Sequence, residues 1–361
     1  MFNSLPLLQL LILEDNYFEA ALDENFLADS RLLEELDIST NELRGSLPAH
    51  LFDTEVHPIL KLVDLHGNQL TGFLPDVIPS VNSDTPMRFV ALYDNLIQGS
   101  VPESWAGLQG LFHLDLSSNL LSGPMPDHLG NMTLLSYLFL ANNTFSPGPI
   151  PESFAKLINM EELSLKRTGR IGVLPEWVSD WEDLTLLDLD NNNFSGEIPE
   201  SYGSLTNLEF LLLNRNNISG ELPATFSAMT NLRAVFLEKN SMTGQLDVLC
   251  NLPNFQETQG DADGTEIIAS DCRGLVECSC CSICCVPSFS GATEDEGLQD
   301  EDTCHDATKI PNLDPQWEAA YARTTFDFGN GTRFIDRAFL DDDSSNDVVV
   351  STMVGTPPTV P

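Results

Sequence analysis

Residues Leu111–Pro126 read LFHLDLSSNLLSGPMP, and this stretch decides the fold. Counting back from Asn119, Leu111, Leu114 and Leu116 stand eight, five and three residues before it. Gly123 and Pro126 follow as Gly-x-apolar-Pro. A Leu-x-Leu pair alternates in the manner of a short strand whose apolar side chains share one face. The same spacing recurs outward in both directions: Leu8, Leu11 and Leu13 before Asn16, Leu33, Leu36 and Ile38 before Asn41, Leu184, Leu187 and Leu189 before Asn192. Asn68, Asn95, Asn143, Asn216 and Asn240 anchor further copies, and Thr168 replaces the Asn once. These anchors are separated by 24 to 27 residues, a self-similarity that marks a repeat architecture.

One such unit cannot bury its leucines alone, so neighbours must stack into a continuous core. The Asn can bond backbone groups of the turn that leaves the strand, and repetition would make a ladder. Thr168 has a shorter reach, so the ladder should weaken there. The Pro ends strand pairing and presets a turn on the opposite side.

The unit LxxLxLxxNxLxGxIPxxLxxLxx resembles the plant-type leucine-rich repeats of receptor-like kinase ectodomains, receptor-like proteins and polygalacturonase inhibitors, over about residues 2–247. That resemblance implies an α/β fold: a right-handed, curved solenoid of about ten repeats, with a parallel concave sheet and a convex side rich in 3-10 turns. It divides the chain into a solenoid over 1–247, a cysteine-rich cap over 248–290 and an acidic, partly disordered tail over 291–361. Relatives begin with a signal peptide and an amino-terminal cysteine cap. The apolar stretch Leu5–Leu13 lacks a basic n-region and is explained by the repeat, so a truncated chain is the expectation.

All eight cysteines follow the last repeat: Cys250, Cys272, Cys278, Cys280, Cys281, Cys284, Cys285 and Cys304. The x2 spacings of Cys278, Cys281 and Cys284 suit metal ligation. The even count and the extracellular type of repeat weigh more heavily for disulfides, with Cys250 and Cys272 as outward partners. The C-x-C-C-x-x-C-C run is similar to the tail of leucine-rich repeat proteins of diatoms and other stramenopiles. Asp261–Gly264 puts the wrong residues, Gln259 and Ser270, at the ends of a calcium loop, so a capping turn is read there.

The 361 residues carry 55 acids against 16 Lys and Arg, a formal net charge of −39. That excludes a nucleic-acid partner and disfavours anionic membranes, both of which need a basic counter-surface. No apolar run is long enough to span a bilayer. No HExxH or GxSxG motif occurs, and Asp327-Phe328-Gly329 lacks the other kinase elements. The sequence therefore predicts neither enzyme, cofactor nor metal.

Residues two, four and six before each anchor are left free of core duty on the concave side. In repeats four to six they include Phe89, Tyr93, His113, Asp115, Tyr137 and Phe139, read as exposed aromatics suited to a protein, peptide or glycan partner. Lateral packing on the sheet is the alternative for the same side chains. Asp64, His66, Asp188 and Asp190 are read as an acidic rim, with Lys166 and Arg167 as local positive charge. Sequons at Asn131, Asn142, Asn193, Asn217 and Asn330 would be glycosylated in an exported chain. The leading expectation is a receptor-like recognition module, extracellular or at the cell surface. An inhibitor of a secreted hydrolase and a structural or adhesion protein of the cell surface are the alternatives.

Overall fold

The computed structural model describes residues 5–77, 85–256, 267–271, 276–281, 283–284, 323–327 and 332–336. The chain divides into two units, Met1–Ala292 and Thr293–Pro361.

In the first unit every repeat contributes one short strand to a parallel sheet of twelve. The strands run in sequence order from Leu10–Ile12 through His113–Asp115 to Ala234–Phe236, each paired only with its sequence neighbours. Register is constant: Leu36 pairs with Leu11 and Val63, and Leu138 with Leu114 and Leu163. A constant register is what an apolar pair of fixed phase requires, since a slip of one residue would turn the leucines outward. Leu111, Leu114, Leu116 and their equivalents along the chain form one contiguous buried core.

On the opposite side of each regular repeat a proline opens a 3-10 helix. Pro102 precedes Glu103–Gly107, Pro126 precedes Asp127–Asn131, and the pattern continues to Pro223 before Ala224–Ala228. The third residue of each helix is driven into the core, as Trp105, Leu129, Phe154, Val178, Tyr202 and Phe226. Neighbouring helices approach closely at Gly203, where an added Cβ would lie 2.4 Å from Thr225 Cβ. Strands a few ångströms apart on one side and helices on the other give the solenoid its curvature.

The Asn ladder is present. Asn119 Nδ2 donates to Leu92 O at 2.9 Å in the preceding repeat and to Ser117 O at 3.0 Å in its own. Its Oδ1 accepts the Ile97 N–H at 3.0 Å. The same pattern holds at Asn41, Asn68, Asn95, Asn143, Asn192, Asn216 and Asn240. At Thr168 the hydroxyl donates only to Leu165 O, within its own repeat. Arg170, two residues on, occupies the core position that Phe145 and Phe194 hold in the flanking repeats, and it is fully buried. Its guanidinium donates to Ser146 O and Pro149 O of the preceding repeat. A side chain that apolar residues normally fill thus restores cross-repeat bonding at the weak rung. Burial pulls the pKa of Arg170 down.

The solenoid sheet does not stop at residue 247. Ile267–Ser270 pairs with Ala234–Phe236, and Ile283–Cys284 follows it. Asp271 ends the ladder of regular turns: its carboxylate accepts the Lys239 N–H and the Asn240 N–H, both at 3.1 Å. In earlier repeats the equivalent amides find carbonyls of the next repeat, as Asn191 N–H finds Asn214 O. The second unit contains an antiparallel hairpin, Arg323–Asp327 with Thr332–Asp336.

Candidate functional site

The concave columns are built by strand alternation, and the structure places five of the six predicted residues on three consecutive strands, with Tyr93 two residues beyond the strand Phe89–Ala91. Phe89 pairs with His113 and His113 with Tyr137, while Ala91, Asp115 and Phe139 form the next column. In-register parallel strands are about 4.8 Å apart, which is the spacing at which planar rings stack. Phe89 and His113 stack with centroids 4.2 Å apart, and His113 contacts both Tyr137 and Phe139 at 5.7 Å. Tyr93 stacks on His66 at 4.3 Å.

The expectation that these rings are exposed is corrected. Phe89 and His113 have no accessible surface, Phe139 has 4% and Tyr93 has 8%, while Tyr137 is half-buried. Lateral ring contact, the alternative reading of the same residues, is what the geometry displays. Tyr137 donates its hydroxyl to Glu161, and burial followed by that bond pushes its pKa up.

The acidic rim is also corrected. Asp64, Asp188 and Asp190 are buried. The aspartates four residues before the anchor have a structural task. Asp37 accepts the Ser39 N–H, Asp64 the His66 N–H, Asp115 the Ser117 N–H and Asp188 the Asp190 N–H, at 2.9 to 3.2 Å. The sheet ladder uses the amides on either side and leaves this one pointing into the concave face. A short carboxylate two residues earlier satisfies it, as in an Asx turn. Asp115 is thus a backbone cap as well as a member of the column.

Beyond the rings, repeats seven to ten carry a buried polar network that the sequence reading only partly found. Arg215 clamps Asp190 with Nε and Nη2 at 2.7 and 2.6 Å, a bidentate ion pair, and Lys166 lies 3.8 Å from the same carboxylate. Ser164 donates to Asp188, and Asn214 donates to Glu238 at 2.7 Å. Burial raises Asp188 to about 6 and Glu238 to about 7. Asp37, near Asp64, is raised to about 7 by burial first and by that neighbour second. Lys166 is buried in this network, whereas Arg167 is exposed. Asn214 and Glu238 stand two residues before their anchors, in the column that found Lys166 and Asp190, whereas Arg215 stands one before its anchor, outside the columns.

Of the predicted cysteines, Cys250 is bonded to Cys280 and Cys278 to Cys281. Cys250 is therefore bonded to the run, and Cys278 pairs within it. Cys272, Cys285, Cys304, the side chain of Cys284, the Asp261–Gly264 turn and Asn330 lie outside the described residues. Asn131, Asn193 and Asn217 are exposed. Asn142 is half-buried and donates to Ser118 Oγ of the preceding repeat.

The Leucine Rich Repeat family profile matches residues 60–81, 110–132, 183–205 and 207–229. The chain carries leucine-rich repeats. Its repeats are similar to those of plant receptor ectodomains. The Arabidopsis receptor kinase HAESA, solved with the peptide hormone IDA and the co-receptor SERK1, is 32% identical with a TM-score of 0.61, covering 67% of this chain and 39% of that one. A TDR receptor is 34% identical with a TM-score of 0.58, covering 65% and 40%. The plant peptide hormone receptor RGFR1, solved with RGF2, is 28% identical with a TM-score of 0.60, covering 66% and 37%. The leucine-rich repeat chain spans less than half the length of these receptors. Comparison with curated proteins finds no match. Among the described residues no helix is long and apolar enough to cross a membrane.

Proposed function

We propose that this leucine-rich repeat chain is a non-catalytic recognition module that holds a peptide or an extended protein segment along its concave sheet, at the cell surface or in a secreted form. The observation that carries the reading is the aromatic array of Phe89, His113, Tyr137 and Phe139 on consecutive strands of a rigid parallel sheet. The buried ring of His113, stacked on Phe89 and in contact with Tyr137, holds the half-buried Tyr137 in place, so a ligand that docks on Tyr137 loses little side-chain entropy at the protein, the cost that otherwise erodes affinity. Half-buried Tyr137, with Glu161 and Glu162 beside it, presents the accessible edge. The buried polar network of repeats eight to ten fixes the neighbouring surface in the same way. Similar receptors solved with peptide hormones support a peptide as the ligand class. If the chain is exported, Asn131, Asn193 and Asn217 would carry glycans on the 3-10 helical and lateral sides, leaving the concave sheet uncovered.

Selection from a displayed random-peptide library against the chain tests this. Selected peptides should bind by calorimetry, and Tyr137→Ala should weaken them at least tenfold. The lateral-surface control Ile171→Ser should leave them unchanged. Peptides that ignore Tyr137→Ala, or a library that yields none, would end the proposal.

A further inference from the structure

Pairing of Gly244–Gln245 with Val276–Glu277 carries the following Cys278–Cys281 segment onto the short helix Asp247–Cys250. The two disulfides at this junction do different work. Cys250–Cys280 joins residues 30 apart and ties the helix to the segment, whereas Cys278–Cys281 joins residues three apart within the segment. A cross-link stabilises mainly by restricting the unfolded chain, and the restriction grows with the loop it closes. Cys250–Cys280 is therefore the bond that holds the cap, and Cys278–Cys281 is the one whose opening costs the fold least. Both residues of that short loop are half-buried rather than enclosed, so a thiol in solution can reach them.

The two bonds are also within reach of each other. Cys278 Sγ lies within 4.8 Å of both Cys250 Sγ and Cys280 Sγ, while Cys281 Sγ stands outside that trio. Ser279 Oγ donates to Asp247 at 3.1 Å and lies 3.4 Å from Cys250 Sγ, which holds the segment against the helix in this arrangement. Two purely structural cross-links do not need such an approach. Thiol–disulfide exchange does, because a thiolate must reach a sulfur of the bond it breaks. We propose that the cap is a thiol–disulfide exchange site, in which a dithiol opens Cys278–Cys281 and the freed Cys278 thiolate then attacks Cys250.

In the first step the dithiol gives two electrons and two protons to the Cys278–Cys281 bond and closes to its own disulfide. In the second, Cys278 loses its proton and its sulfur bonds to Cys250 Sγ. The Cys250–Cys280 bond breaks with its electron pair on Cys280 Sγ, which takes up the proton, so this step is an exchange without net oxidation. Attack goes to Cys250 and not to Cys280, because Cys278 and Cys280 are separated by one residue and a bond between them would close a very small ring. The product bond Cys250–Cys278 still ties the helix to the segment, so the end of the solenoid stays closed. The thiol pair moves from Cys278 and Cys281 to the adjacent residues Cys280 and Cys281, which disulfide geometry keeps from closing on each other.

The test compares Cys281→Ser with Cys278→Ser in the full chain, purified without reductant. Each variant removes the same bond and frees one thiol, but only Cys281→Ser frees it at Cys278. Alkylation of free thiols, digestion without reduction and tandem mass spectrometry read where the label and the bonds lie. Cys281→Ser should show a Cys250–Cys278 bond and at least tenfold more label on Cys280 than Cys278→Ser does. Cys278→Ser should keep Cys250–Cys280 and carry its label on Cys281. In the parent chain, a limiting amount of dithiol should expose Cys278 and Cys281 at the shortest trapping times and Cys280 in place of Cys278 at longer ones, a measurement that decides the matter if a variant does not fold. Label confined to Cys278 in Cys281→Ser, equal shuffling in the two variants, or a parent chain in which Cys250–Cys280 opens first or Cys278–Cys281 resists the dithiol would each overturn the proposal.

Discussion

Glu238 shows how a single side chain on the concave sheet ties recognition surface to stability. Burial raises its pKa from 4.5 to about 7, against the opposing pull of Arg215 and the Asn214 bond. Asp37 and Asp188 are raised in the same direction, to about 7 and about 6. A carboxyl whose folded pKa exceeds its unfolded one binds its proton more tightly in the native state. Its stabilising contribution is full below the unfolded value and is lost as pH rises through the folded value, here between about 4 and 7. His57 works the other way. Burial lowers it from 6.5 to about 4, so its contribution is present above 6.5 and is lost as pH falls toward 4. The two trends oppose each other in the same window. Glu238→Gln keeps an acceptor for Asn214 and removes the titration. Its melting temperature should therefore fall less between pH 5 and pH 8 than that of the parent. Parallel melting curves across that range would refute the assignment.

At the level of elements, the ends and irregularities of the solenoid are set by polar groups. Leucines fill the core in every repeat, but a leucine cannot satisfy the amides that a missing neighbour leaves behind. Asp271 does so for Lys239 and Asn240 with one carboxylate. Asp271→Ala should destabilise the chain by about 1–3 kcal/mol, the cost of leaving buried donors unpaired. Urea denaturation reads it, and a change of midpoint below a few tenths of that cost would show that other groups take over the cap. The aspartates at Asp37, Asp64, Asp115 and Asp188 are the interior version of the same device, one amide each. Their recurrence in the sequence looks like a binding stripe, and tertiary structure assigns them to backbone capping.

In the molecule as a whole, each repeat contacts mainly its neighbours, so stability is close to a sum of repeat and interface contributions. The interface between repeats six and seven lacks its Asn rung, and Arg170 bridges it through carbonyls instead. The lateral strands break at the same place: Ile171–Gly172 starts a new sheet after Thr144–Phe145, joined only by the bridge Gly148–Arg170. Native-state hydrogen exchange should show a step in protection between Tyr137–Phe139 and Glu162–Ser164. Thr168→Asn should reduce that step and raise stability by about 1 kcal/mol. Uniform protection across the junction in the parent chain would show that Arg170 restores full coupling.

The repeat length, the inward leucines, the Asn ladder with its weak rung at Thr168 and the proline-led 3-10 side were all legible in the sequence. Each depends on local spacing, and a periodic chain converts local spacing directly into long-range stacking. The half-buried edge at Tyr137 and the partners of Arg170, Arg215 and Asp271 were not legible. Neither was the pairing of Cys250 with Cys280 and of Cys278 with Cys281. They depend on which side chains from residues about 24 or more apart arrive at the same point, and on how much water is left when they do. Sequence fixes the column in which a side chain stands. Only the stacked structure decides whether that column is open surface, ring stack or capped backbone.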